Sequence, residues 1–124
     1  MEGDRLGENM LVAAFAIRGD VKKETAKVMI DLIMDKIDVL PAHTSITYDY
    51  PVGPDKGGVG YTYIQPITES FIAFDAWPDK GGAYFIICSC KPFWLADVIK
   101  LIEKFKFQII DTKVNGLSII KEMP

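Results

Sequence analysis

The chain has 124 residues, 49% of them hydrophobic and 25% charged, the size and balance of one globular domain with a two-layer core. Its net charge is −3 and its fourteen Lys and Arg are scattered. It therefore lacks the basic stripe that neutralises phosphates, which argues against nucleic acid and against an anionic membrane surface. No apolar run reaches the roughly 20 residues a spanning helix needs, and the polar start MEGDRLGEN is not a secretory signal. Cys88 and Cys90 are too close for an ordinary disulfide. With one distant histidine, His43, they make a poor zinc set, so no metal is expected. A reducing cytoplasm is the simplest setting.

In chain order, the continuous apolar run Met10 to Ile17 reads as a central strand. Asp20 is placed to cap a helix running to about Asp38, with Ala26, Met29, Ile30, Ile33 and Ile37 as its apolar stripe. His43 to Tyr50 alternates, with Ile46, Tyr48 and Tyr50 on one side. The glycine-rich loop Gly53–Gly60 has no Lys-Ser/Thr ending and no following helix, so it reads as a hairpin connection rather than a phosphate cradle. Tyr61 to Ile67 is the return strand, and Pro66 marks a bulge or an edge near its end.

Phe71 to Trp77 and Ala83 to Ser89 form an antiparallel pair around Gly81-Gly82. Pro92 fits the first turn of a second helix, whose stripe is Leu95, Val98, Ile99, Ile102 and Phe105. Phe107 to Lys113 and Leu117 to Lys121 read as a closing hairpin around Asn115-Gly116. The expected fold is α+β: one antiparallel sheet with two helices on one face, built of two related strand-helix-strand-strand halves. The other face is left to solvent or to a second subunit.

One stretch carries more than architecture. Gly60-Tyr61-Thr62 leads through an apolar strand to Glu69-Ser70; Asp75, Trp77-Pro78-Asp79, Gly81 and Cys90 follow. This layout resembles the prokaryotic-type S-adenosylmethionine decarboxylases, pyruvoyl-dependent proenzymes, over about Gly60 to Cys90. In that family the chain cuts itself at Glu-Ser, and a cysteine stands twenty places after the serine.

The resemblance implies that Ser70 is the precursor of a covalent pyruvoyl group. Cys90 would be the proton donor, Thr62 a processing hydroxyl and Glu69 the residue before the cut. The implied activity is decarboxylation of S-adenosylmethionine for spermidine synthesis, in a homodimer. Substrate contacts would come from Asp79, Trp77 and Tyr50. The physical logic is an attack by the serine hydroxyl on the preceding carbonyl, needing donors for the oxyanion and a base for the α-proton.

Three positions depart from the pattern. At one of them Asp79 stands where the family's Trp-Pro-Glu corner has a glutamate, one methylene longer, which weakens the implied ribose contact. Asp75 stands where the family has a histidine as elimination base, and a carboxylate is the weaker base unless burial raises its pKa. Phe71 replaces a polar residue beside the serine. Strict alternation also puts Ser70 and Asp75 on opposite strand faces, so their cooperation requires a bend or bulge near Ser70. These departures leave open an uncleaved homologue acting as a regulatory or ligand-binding subunit, or a decarboxylase of a basic amino acid. Taken alone, Ser70 reads as a strand start, and either cysteine as simple core filling.

Overall fold

The computed structural model describes residues 9–52 and 58–118. Its elements are β1 (Asn9–Arg18), α1 (Lys23–Ile37), β2 (Ile46–Val52), β3 (Gly58–Ile67), β4 (Ser70–Trp77), β5 (Gly82–Ser89), α2 (Leu95–Lys104) and β6 (Gln108–Ser118). The strands make one antiparallel sheet in the order β2-β3-β4-β5-β1-β6. Both helices bury their apolar stripes against one face of it. Ala26, Met29, Ile30 and Ile33 of α1 and Val98 and Ile102 of α2 have no exposed surface. Beneath them lie Phe15, Tyr61, Ile72, Phe74, Phe85 and Ile87, each contributing about 1.5–3 kcal/mol by leaving water. The α+β sandwich is thus the observed architecture.

Several local expectations give way to tertiary demands. Asp20 does not cap α1. The N-cap position is Lys22, in extended conformation with no side-chain cap, and Asp20 instead pairs loosely with Lys22 at 3.5 Å. The reason is Val21, only 1% exposed: the chain stays extended to seat it in the core before the first helical turn can form. Pro92 likewise precedes α2 rather than opening it, because Phe93 must first pack against the core.

The closing hairpin is not found among the described residues. Asn115 and Gly116 lie inside β6, opposite Val12 and Leu11 of β1. The long β1 edge offers a ladder that outweighs the local turn preference, and the only irregularity is a register shift where Ile110 is extra. Residues 119–124, where that hairpin's second strand was expected, are outside the described residues, as is the 53–57 part of the glycine-rich loop. Pro66 marks neither a bulge nor an open edge: it lies beyond the start of β2, but its carbonyl accepts from the Ala42 amide at 3.0 Å, Pro41 bridges Ile67, and its pairing with β4 is regular. No described helix is long and apolar enough to cross a membrane.

Candidate active site at the Glu69–Ser70 bond

β3 and β4 are joined by the turn Thr68-Glu69, and Ser70 is the first residue of β4, opposite Ile67 on one side and Ser89 of β5 on the other. Tight hairpins usually place a glycine or asparagine where φ must be positive. Here neither turn residue is one, and the positive φ falls on Ser70, at 152°. A non-glycine residue in so sparse a region stores on the order of 1–3 kcal/mol. The strained torsion is about the N–Cα bond of Ser70, next to the Glu69–Ser70 peptide bond.

The same register sets the carbonyl of that bond. Since Ser70 faces Ser89, the next residue of β5 lies against Glu69, and the Cys90 amide donates to the Glu69 carbonyl oxygen at 3.2 Å. A backbone N–H in that place polarises the carbonyl and would stabilise an oxyanion on it. The spacing between Ser70 and Cys90 is therefore the arithmetic of a β-hairpin with this register. The Glu69 carboxylate is held by the Thr68 hydroxyl, which donates to it at 2.6 Å.

Cys90 is half-buried, with a free thiol. It lines a cavity of about 440 Å³ with Met10, Leu11, Pro92 and Leu117. Ser70 is not on that cavity's wall. Cys88 is also free and is buried, and burial pushes its thiol pKa up.

Asp75 belongs to a different cluster. It lies opposite Thr62 of β3 and Tyr84 of β5, on the sheet face away from the helices. Its Oδ1 accepts hydrogen bonds from the Tyr50 hydroxyl at 2.7 Å and from the Thr62 hydroxyl at 2.8 Å. Burial, and then this contact with the carboxylate, push the Tyr50 hydroxyl pKa up. Five residues of extended strand separate Asp75 from Ser70, roughly 16 Å at about 3.3 Å per residue. The unusual backbone at Ser70 does not shorten that path. Within one chain, then, Thr62 and Asp75 meet each other and Tyr50, while Glu69, Ser70 and Cys90 form a second group.

The remaining expected residues lie at the far end of β4. Trp77 packs edge-on against Tyr84, with ring centroids 5.6 Å apart and planes at 83°. Asp79 is exposed in the short 3₁₀ turn Pro78–Lys80 and has no hydrogen bond or ion pair among the described residues. Two features escaped the sequence reading. The Cys90 amide is a backbone group and has no residue-type signature. The Tyr50–Asp75 bond depends on how far β2 and β3 run together, which the 53–57 loop conceals.

No family model matches the sequence, and no curated protein matches it. Among solved structures, the chain is similar to the adenosylmethionine decarboxylase from Aquifex aeolicus VF5. The two align with a TM-score of 0.61 over 94% of this chain and 96% of that one, at 14% sequence identity. At that identity the likeness is one of fold, extending over essentially the whole domain.

Proposed function

We propose that this chain is a self-processing, pyruvoyl-dependent decarboxylase acting on S-adenosylmethionine, for spermidine synthesis, or on a related amine. One observation carries the reading: the Glu69 carbonyl, polarised by the Cys90 amide, directly precedes a serine held at φ 152°. The residues at this bond fit formation of the prosthetic group. Attack by the Ser70 hydroxyl forms a C–O bond to the Glu69 carbonyl carbon and breaks the C–N bond, giving an ester and a free amine. Loss of the Ser70 α-proton then breaks the Cβ–O bond and expels the main-chain carboxylate of Glu69, leaving its side chain untouched. Water converts the resulting dehydroalanine to a pyruvoyl end with release of ammonia. When present, that ketone supplies an electron sink for decarboxylation. Cys90 brings a free thiol to a cavity that Ser70 does not itself line, and the anchored Asp75 carboxylate, with Tyr50, offers an anionic contact for a substrate cation.

The proposal includes a homodimer in a reducing cytoplasm. Toward β2 and the start of β4, the sheet face away from the helices exposes 57% of Tyr48 and 38% of Phe71, and a second copy is suited to cover that apolar part of it. Sedimentation at micromolar concentration tests that part.

Intact-mass measurement tests the processing. The expected result is two pieces, one ending at Glu69 and one beginning with the pyruvoyl group, with Ser70→Ala remaining whole. A chain that stays whole through prolonged incubation ends this reading. A second reading, an uncleaved ligand-binding homologue, is favoured by the position of Asp75, occupied by two hydroxyls roughly 16 Å along the strand from Ser70. In that case the chain stays whole, and S-adenosylmethionine raises its melting temperature in a thermal-shift measurement.

A further inference from the structure

At the end of the sheet remote from Ser70, a cavity of about 470 Å³ opens on the uncovered side, a volume typical of small-molecule sites. Its floor follows from register. Trp77 of β4, Gly82 of β5 and Arg18 of β1 lie directly opposite one another in one row. With no side chain at Gly82, the space between Trp77 and Arg18 is floored by backbone. Two strand spacings set their Cα atoms roughly 10 Å apart. A flat ring in contact with both walls needs about 7 Å, twice the usual carbon–carbon contact distance.

The walls have matching chemistry. Trp77 is braced by its edge-on contact with Tyr84, so it presents a fixed aromatic face. Arg18 brings a planar guanidinium that stacks on rings and forks onto oxyanions. Lys80, from the 3₁₀ turn, adds a second cation at the rim. Neither Arg18 nor Lys80 has an acidic partner among the described residues. Of the acids nearby, Asp111 faces Lys113 and Asp20 faces Lys22, each at 3.5 Å, Asp75 is held by the Tyr50 and Thr62 hydroxyls, and Asp79 stands exposed beside Lys80 in sequence. Two unpaired cations converging on an aromatic slot stand out on a chain of net charge −3.

We propose that this cleft binds a planar aromatic ring bearing a carboxylate, sulfonate or phosphate, with the ring between Trp77 and Arg18 and the anion on Arg18 and Lys80. This goes beyond the decarboxylase reading. The cleft lies seven residues along β4 from Ser70, roughly 23 Å, and binding there requires no cleavage.

The Trp77 indole N–H resonance reads the site directly, and Trp94→Phe leaves it as the sole tryptophan signal. The probes are naphthalene-2-sulfonate, its neutral sulfonamide and inorganic sulfate. The expected result is a saturable shift with the sulfonate, at least tenfold weaker binding of the sulfonamide, and no saturable shift with sulfate. Arg18→Glu combined with Lys80→Glu should weaken the sulfonate at least tenfold. Gly82→Val should abolish its binding by filling the floor; a Cβ there stands 3.4 Å from the Ile17 carbonyl oxygen. If Gly82→Val does not fold, the charge-reversed chain decides alone. No saturable sulfonate shift, equal binding of the sulfonamide, or undiminished binding after charge reversal overturns the proposal. Each readout is the same in Ser70→Ala, so failure here is distinguishable from failure of self-processing.

Discussion

Along β4, residues one apart meet different solvents. Ile72, Phe74 and Ala76 have no exposed surface beneath the helices, whereas Phe71 is 38% exposed and Asp75 and Trp77 are half-buried on the opposite side. The covered side holds little polar chemistry: Tyr61 gives its hydroxyl to the Val21 carbonyl at 2.6 Å, and Gln65 bonds the carbonyls of His43 and Pro66. The uncovered side carries the Asp75 cluster and the Trp77–Arg18 cleft. The strained Glu69–Ser70 junction lies where β4 begins. One side is organised to exclude water, and the other is free to hold charge, because only there can a carboxylate or guanidinium keep its solvation.

That contrast is most sharply tested by paired substitutions. Phe74→Ala should cost about 3–5 kcal/mol in chemical denaturation, through lost burial and a residual cavity. Phe71→Ala, three residues earlier on the other side, should cost about 1 kcal/mol or less. Equal losses would mean that Phe71 is covered in solution, which would itself support a subunit contact there.

A smaller effect separates neighbouring hydroxyls of β3. Tyr61→Phe leaves the buried Val21 carbonyl without its donor and should cost about 1–3 kcal/mol. Thr62→Val removes one of two donors to a half-buried carboxylate that water can still reach, and should cost about 1 kcal/mol or less. A Thr62 loss exceeding that of Tyr61 would reverse the assignment of which side is sealed.

The smallest effect is in alkaline pH. Burial raises the Cys88 thiol above its ordinary value of 9.0, so the thiol keeps its proton longer folded than unfolded. Its stability contribution is present in full below about that pH and is lost as pH rises through the raised folded value. Denaturation midpoints should therefore decline on that limb, and Cys88→Ala should flatten the decline. The Tyr50 hydroxyl, also raised, keeps some slope in the variant.

Much of the architecture was legible in the residue pattern. The apolar stripe of α1 is a local periodicity that recurs as buried residues. That of α2 recurs with Val98 and Ile102 sealed and Leu95, Ile99 and Phe105 partly covered, whereas the alternation of β2 marks a strand whose Ile46 and Tyr48 stay exposed. Cys90 was singled out only by the family resemblance, and the register of the β4–β5 hairpin is what sets it against Glu69. Where local signals misled, long-range packing had displaced them. Val21 delayed α1 past Asp20, Phe93 delayed α2 past Pro92, and β1 drew Asn115-Gly116 into a strand.

By itself the sequence determined the two periodicities, the order of the elements and the residues that carry hydroxyl, carboxylate and thiol. Tertiary structure alone decided which of them meet. Strand register gave Asp75 to Thr62 and Tyr50 instead of Ser70, set the Cys90 amide on the Glu69 carbonyl, and aligned Trp77, Gly82 and Arg18 into a slot. The reason is that side-chain periodicity states which side of a strand a residue occupies, whereas the partner across the ladder is chosen by contacts between segments far apart in the chain.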